Sequence, residues 1–140
     1  MPFLERMSQE DVIRLREGYA AFNRGDLDAI LETLDPEVVF IQAEELPGAE
    51  IYRGHEGVRK WLADLTAAFD DFRVEPEDLI DAGDRLVALL RLSGRGRGSG
   101  APFEANVAHV FEVREGKVVQ WKAYMDRATA LRAAGLPATG

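Results

Sequence analysis

Residues 102–136 read PFEANVAHVFEVREGKVVQWKAYMDRATALRAAGL, two long strands, a tight turn and a closing helix. Side chains suited to burial alternate at Val107, His109, Phe111 and Val113. The turn Arg114-Glu115-Gly116-Lys117 follows, and alternation resumes at Val119, Trp121, Ala123 and Met125. A period of two interrupted by a glycine turn predicts a half-buried β-hairpin. Asp126 stands where an N-cap accepts backbone N–H bonds, ahead of the helix-forming run from Arg127 to Ala134, and Gly135 and Pro137 stop that run.

Outward from the hairpin, residues before it read as three helices and further strands. A Ser8-Gln9-Glu10-Asp11 start leads into Val12, Leu15, Tyr19 and Phe22 at helical spacing, ended by Gly25. Asp26 suits the cap of a second, short helix carrying Leu27, Ile30, Leu31 and Leu34. Asp35-Pro36 ends it, because a residue before proline is pushed out of the α region. Residues 37–43 suit a strand, and Pro47 and Gly48 mark a loop or poorly formed hairpin within 44–53 that suits a pocket rim. Val58, Trp61, Leu62, Leu65 and Phe69 recur at the spacing of a third helix laid on a core. Strands are then expected at 72–80, 85–95, 103–113 and 117–126. The Gly94-to-Gly100 run reads as a hairpin loop, since it joins two strands and lacks the Lys-Ser/Thr ending of a phosphate loop. Helices first and an antiparallel sheet after them predict an α+β fold, with helices on one face of a strongly bent sheet.

Composition narrows the function. The 140 residues suit one domain spanning 1–140, and a formal charge of −8 opposes binding to a phosphate backbone, which needs clustered Lys and Arg. Nucleic acid is therefore not an expected partner. There is no cysteine, which removes thiolate chemistry and disulfides. With only His55 and His109 as imidazoles, far apart in sequence, no metal site and no cofactor is expected. No apolar run is long enough for a membrane span and the first residues lack a signal-peptide pattern, so a cytoplasmic location is expected.

In this order of elements the chain resembles the nuclear transport factor 2-like superfamily, which includes ketosteroid isomerase, and within it the SnoaL-like family. The resemblance is carried by residues 22–30 (FNRGDLDAI), 52–58 (YRGHEGV), His109-Val110-Phe111, Gly116-Lys117-Val118-Val119, Trp121 and residues 123–127 (AYMDR). It implies a cone-shaped, strongly bent antiparallel sheet packed against three N-terminal helices with a short C-terminal helix. The open end of such a cone holds a small apolar ligand or a reaction site, and the outer sheet face commonly makes a dimer. The catalytic sets of two related enzymes do not carry over. Where ketosteroid isomerase has its general-base Asp, the alignment gives Gln42, and its oxyanion-hole Tyr and Asp fall on Gly18 and Ala108. Relative to limonene epoxide hydrolase the Arg is kept as Arg91. Its two Asp residues become Ser93 and Ala123, and its Tyr-Asn pair becomes Phe40 and Gln42.

Strand parity then distributes side chains between faces. If Ala123 lines the pocket, so do Val119, Trp121 and Met125, and on the preceding strand Asn106, Ala108 and Val110. The expected ligand-binding set is Tyr19, Phe22, Phe40, Gln42, Trp61, Leu65, Arg91, Asn106, Ala108, Trp121, Ala123 and Met125, with no catalytic residue assigned. Arg91 is the pocket charge, able to hold a ligand carboxylate or to pair with Glu104, Glu44 or Glu45. Val107, His109, Phe111 and Tyr124 fall on the outer face, as an apolar surface for a homodimer. The expected function is binding of a small apolar or weakly acidic organic molecule. The alternatives are an enzyme of isomerase, cyclase or hydrolase type using Arg91 and a rim carboxylate, and a protein-interaction module.

Overall fold

The computed structural model describes residues 9–45 and 50–137. Ser8 of the expected helix start and Pro47 and Gly48 of the expected loop lie outside them. The chain runs α1 (Gln9–Asn23), α2 (Leu27–Glu32), β1 (Leu34–Ile41), β2 (Ile51–Arg53), α3 (Gly54–Ala68), β3 (Phe69–Asp81), β4 (Leu86–Gly96), β5 (Pro102–Arg114), β6 (Lys117–Tyr124) and α4 (Arg127–Ala133). This is the expected α+β architecture. One six-stranded sheet has the order β2-β1-β6-β5-β4-β3, antiparallel throughout except for the parallel pair β1–β6.

Local chemistry sets the helix ends. The Asp26 carboxylate accepts from Ala29 N at 3.1 Å, and the Asp126 carboxylate accepts from Ala128 N at 3.3 Å and from the Thr129 hydroxyl at 2.6 Å. Leu136 N donates to Leu131 O beyond the left-handed Gly135, closing α4 as the sequence predicts. Helix α2 ends earlier than expected, since Leu34 already belongs to β1 and pairs with Val118.

Helices α1 to α3 pack on one face of the sheet. Asn23, the last residue of α1, donates to Val74 O at 2.8 Å and accepts from Val74 N at 2.9 Å, which satisfies a peptide of the edge strand β3 and fixes the helix over it. At the other end of the helix, Arg14 donates to Gly116 O at 2.8 Å in the β5–β6 turn. Between these anchors lies the main core, which includes Leu15, Tyr19, Phe40, Val58, Leu86, Leu90, Phe111 and Trp121. Helix α4 covers part of the other face, where Val87, Ala108, Val110, Ala130 and Leu131 form a second, smaller core.

The β5–β6 register departs from simple alternation. Glu115 (φ 51°) and Gly116 (φ 77°) give the turn two residues of positive φ, as a type I′ turn requires. Pairing begins as Arg114↔Lys117 and Val113↔Val118, then shifts by one residue to Glu112↔Gln120, Phe111↔Trp121 and His109↔Ala123. Val119 is the extra residue of a β-bulge. Directly paired residues share a face, so beyond the bulge Phe111 and His109 lie on the side of Trp121. Simple alternation would have put Val110 and Ala108 there. The outer apolar surface expected from the sequence is corrected accordingly: Val107, His109 and Phe111 are buried on the inner face, and of the four residues only Tyr124, paired with Ala108, stands outside.

Deleting Val119 removes the bulge and brings Gln120 directly after Val118, which keeps the pairs Glu112–Gln120, Phe111–Trp121 and His109–Ala123 in a regular ladder, so cooperative unfolding in urea is expected to persist. Glu115→Asn, which relieves a left-handed glutamate, is expected to raise the unfolding free energy by about 0.5–1 kcal/mol in the same measurement.

Candidate functional site

Beneath α1, on the inner face of the sheet, lies a half-open cavity of about 50 Å³. Helix α1 contributes Leu15, Gly18, Tyr19 and Phe22 from one stripe, and Ile30 and Thr33 of α2 close one side. Trp61 of α3 and Val74 of β3 form further walls, and His109, Phe111 and Trp121 rise from the floor. No Asp, Glu, Lys or Arg is among its lining residues.

Three side chains bring polar groups to this lining. The Tyr19 hydroxyl and His109 Nδ1 are hydrogen-bonded at 2.9 Å, and both residues are buried. Trp121 lies edge-to-face with His109, ring centroids 5.3 Å apart, and its indole N–H has no hydrogen-bond partner among the described residues. A buried donor left unmade costs about 1–3 kcal/mol. Behind this group, Phe40 stacks on Trp121 at 4.0 Å between centroids and meets Trp61 edge-on at 4.9 Å, which holds both indoles in place. The fourth polar group, the Thr33 hydroxyl, is already spent on Ile30 O at 2.7 Å.

Burial governs the protonation of the pair. Desolvation lowers the His109 pKa from 6.5 to about 3 and raises that of Tyr19 well above its usual value. At neutral pH the cavity therefore holds a neutral imidazole and a neutral phenol.

The structure brings only some of the sequence-expected residues to this place. Tyr19, Phe22, Trp61 and Trp121 line the cavity, with Phe40 as a buried wall behind them. Ala123 is the cross-strand neighbour of His109, and Met125 packs against the same core. Leu65 instead lines an open groove of about 990 Å³ between α3 and β3, which Phe22 borders as well. Gln42 accepts from Glu50 N at 3.2 Å at the end of β1 and so bridges the loop.

Arg91, Asn106 and Ala108 stand on the opposite face. Arg91 pairs with Asn106 across the strands, between the inward Leu90 and Leu92, and donates to Glu104 at 2.6 Å. The two side chains are 44% and 64% exposed, so this is a solvated surface pair. Ala108 is buried in the core beneath α4. Glu44 and Glu45 sit in an exposed turn, and no ion pair joins either to Arg91 among the described residues. No group of three or more His, Cys, Asp or Glu side chains suited to a metal ion occurs among the described residues.

Parity counting missed His109 and Phe111. The signal that could have found them is the stripe Val107-His109-Phe111-Val113 itself, the more apolar face of β5, which hydrophobic patterning assigns to a core.

Comparison with known proteins agrees with the fold. Residues 15–121 match the family model of the SnoaL-like domain, and the chain belongs to that family. A nuclear transport factor 2-like protein of Burkholderia thailandensis E264 is 32% identical, with a TM-score of 0.75 over 91% of this chain and 98% of that one. Another, of unknown function, from Burkholderia pseudomallei K96243 is 25% identical, with a TM-score of 0.78 over 90% and 97%. A putative SnoaL-like polyketide cyclase from Jannaschia sp. CCS1 shares 21% identity and a TM-score of 0.74 over 92% and 94%, a likeness of fold. No curated protein sequence matches the chain. No helix among the described residues is long and apolar enough to cross a membrane.

The lowered His109 pKa has a measurable consequence. Below pH 6.5 the unfolded chain binds a proton at His109 that the native protein accepts only near pH 3. Stability rises with pH wherever the unfolded state holds more protons, so this group makes stability fall on acidification across that window. Urea titrations from pH 7 to 4 are expected to show a contribution of about 1.4 kcal/mol per pH unit, and His109→Gln is expected to remove it.

Proposed function

We propose that this SnoaL-like protein binds a small, mainly apolar organic molecule in the cavity under α1, with Tyr19, His109 and Trp121 as its polar contacts. The observation that carries this reading is an otherwise apolar cavity lined by Tyr19, His109 and Trp121 and, among the described residues, by no Asp, Glu, Lys or Arg, with the Trp121 indole N–H buried and without a partner among those residues. Ligand sites combine apolar walls with a few placed polar groups, and an orphaned donor is the group a ligand would satisfy. By volume, about 50 Å³ admits a few waters or a compact molecule, and a larger one requires Phe22 or Trp61 to turn aside.

Binding fits better than acid–base catalysis of the form expected from the sequence. Arg91 and the described rim carboxylates do not meet at the cavity, whose titratable lining groups among the described residues, Tyr19 and His109, are held neutral by burial. A ketosteroid isomerase-like mechanism has no carboxylate there to take the proton. Self-association through the outer sheet face stays part of the proposal, resting on Tyr124 alone of the four expected residues. Light scattering decides it, a dimer mass supporting the contact and a clean monomer removing it. A cytoplasmic location is likewise proposed.

Gly18 provides the test of the cavity. A Cβ built there meets only the Thr33 side chain, at 3.5 Å, so α1 tolerates a side chain at this position. Gly18→Ala is expected to stabilise the helix by about 1 kcal/mol, whereas Gly18→Leu projects into the cavity and fills it. In a thermal-shift and tryptophan-fluorescence screen of small ketones, terpenoids and aromatics, wild-type protein is expected to respond and Gly18→Leu not to. Equal responses would place any binding elsewhere.

A further inference from the structure

Three hollows follow one another along α1. Asp11, Arg14 and Leu15 border a small space near the start of the helix, Leu15 to Phe22 border the cavity, and Phe22 and Asn23 border the groove between α3 and β3. Leu15 and Thr33 line both of the first two, and Phe22 and Ile30 line both of the last two. Each shared pair of side chains is a partition between neighbouring spaces.

The two partitions differ in what lies beyond them. Past Leu15 the space is about 10 Å³, the room of a single water. Arg14 closes it, donating to Gly116 O at 2.8 Å and to Asp11 at 3.4 Å. Past Phe22 the groove is open to solvent and measures about 990 Å³, with Leu62, Leu65, Phe69 and Phe72 as apolar walls. The charges along it are paired, Asp70 with Arg97, Asp71 with Arg95 and Arg59 with Glu56. A neutral apolar molecule therefore meets apolar walls on that side and no unpaired charge among the residues named.

We infer that Phe22 is a gate. The groove is the entrance to the cavity, and the Phe22 ring is the movable wall between them, setting the size of molecule that passes. The purpose of such a gate rests on the binding reading above, whereas its existence is testable without a ligand.

The neighbouring side chains are held where Phe22 is not. Ile30, the other half of the partition, is buried and β-branched, with one strongly preferred χ1 in a helix. Trp61 is wedged edge-on against Phe40 at 4.9 Å and Trp121 at 5.1 Å, and it does not line the groove. Phe22 is half-buried and meets Trp61 and Phe72 at 6.0 Å each. Aromatic residues on helices use two χ1 wells, about 180° and −60°, and the groove gives this ring room to leave the cavity. The backbone under it stays in place, because Asn23 is bonded to both N and O of Val74, at 2.9 Å and 2.8 Å. Opening is a side-chain rotation on a fixed helix end.

The groove wall that faces the ring is shaped by a bulge. Asp71, at φ 54°, and Phe72 together oppose Gly94, between the pairs Asp70↔Arg95 and Arg73↔Ser93. A Cβ on Gly94 would meet Phe72 Cα and Cδ2 at 3.3 Å, so the glycine leaves room for the Phe72 ring, which lies edge-on to Phe22.

Acrylamide quenching of tryptophan fluorescence tests the gate. Trp61 and Trp121 are the two tryptophans of the chain, and Trp61→Phe leaves the buried Trp121 as sole reporter while keeping an aromatic ring beside Phe22. A minor open state is populated at about 0.1–10%, so adding Phe22→Ala to this background is expected to raise the bimolecular quenching constant about tenfold or more. Leu15→Ala truncates the other partition and is expected to leave the constant nearly unchanged. An equal rise in both variants would mean general loosening and would overturn the gate, as would no rise with Phe22→Ala. Phe22→Leu is expected to give an intermediate constant, and it decides the matter if the alanine variant does not fold. A rise confined to the Phe22 variants with no response in the thermal-shift screen supports the gate and removes the binding reading. Responses in the screen without that rise do the reverse.

Discussion

One extra residue in β6 determines which side chains this protein encloses. Val119 bulges from the ladder between the Val113–Val118 and Glu112–Gln120 pairs, and every pairing further from the turn is displaced by one position. Because strand side chains alternate, a displacement of one exchanges the faces completely. His109 and Phe111 consequently join Trp121 under α1, while Ala108 and Val110 pass to the other side and are covered by Ala130 and Leu131 of α4. Both faces depend on that shift. The inner one needs bulky aromatic residues to fill the space under three helices, and the outer one needs small residues for a short helix to lie close.

The inner face is held in register from the helix side as well. Asn23 completes the peptide of Val74 at the sheet edge and Arg14 reaches the turn carbonyl of Gly116, so α1 is tied to both ends of the surface it covers. These are long-range bonds, spanning 51 and 102 residues of sequence, and they place Tyr19 where its hydroxyl can reach His109. Most of the inner core spends its polar groups internally. Trp121 is the exception, and an unpaired buried donor is retained only when the rest of the fold outweighs its cost. The stacked Phe40 and the perpendicular Trp61 supply part of that excess through aromatic contact.

Electrostatics separates the two faces further. The outer side carries solvated charge, with Arg91 and Glu104 paired across β4 and β5, and Arg95 and Asp71 paired at the far end of β3. Such pairs do little for stability and much for keeping that surface wet. Inside, burial rather than neighbouring charge sets the titration behaviour, and it keeps His109 and Tyr19 uncharged.

The element types, the caps at Asp26 and Asp126, the stop at Gly135 and the SnoaL-like family were all legible in the chain, because each depends on residues a few positions apart or on short motifs. The aromatic walls Tyr19, Phe22, Trp61 and Trp121 were legible too, since helix and strand periods mark the buried stripe. Arg91 and His109 were both assigned to the wrong face for one reason. Their faces depend on strand register, and register depends on a bulge that the sequence Val118-Val119 does not announce, two valines suiting a regular strand equally well. Only the tertiary structure decides it, because the shift is favoured by burying Val107, His109 and Phe111 under helices distant in sequence, α1 more than 80 residues away, an energy that no local pattern contains.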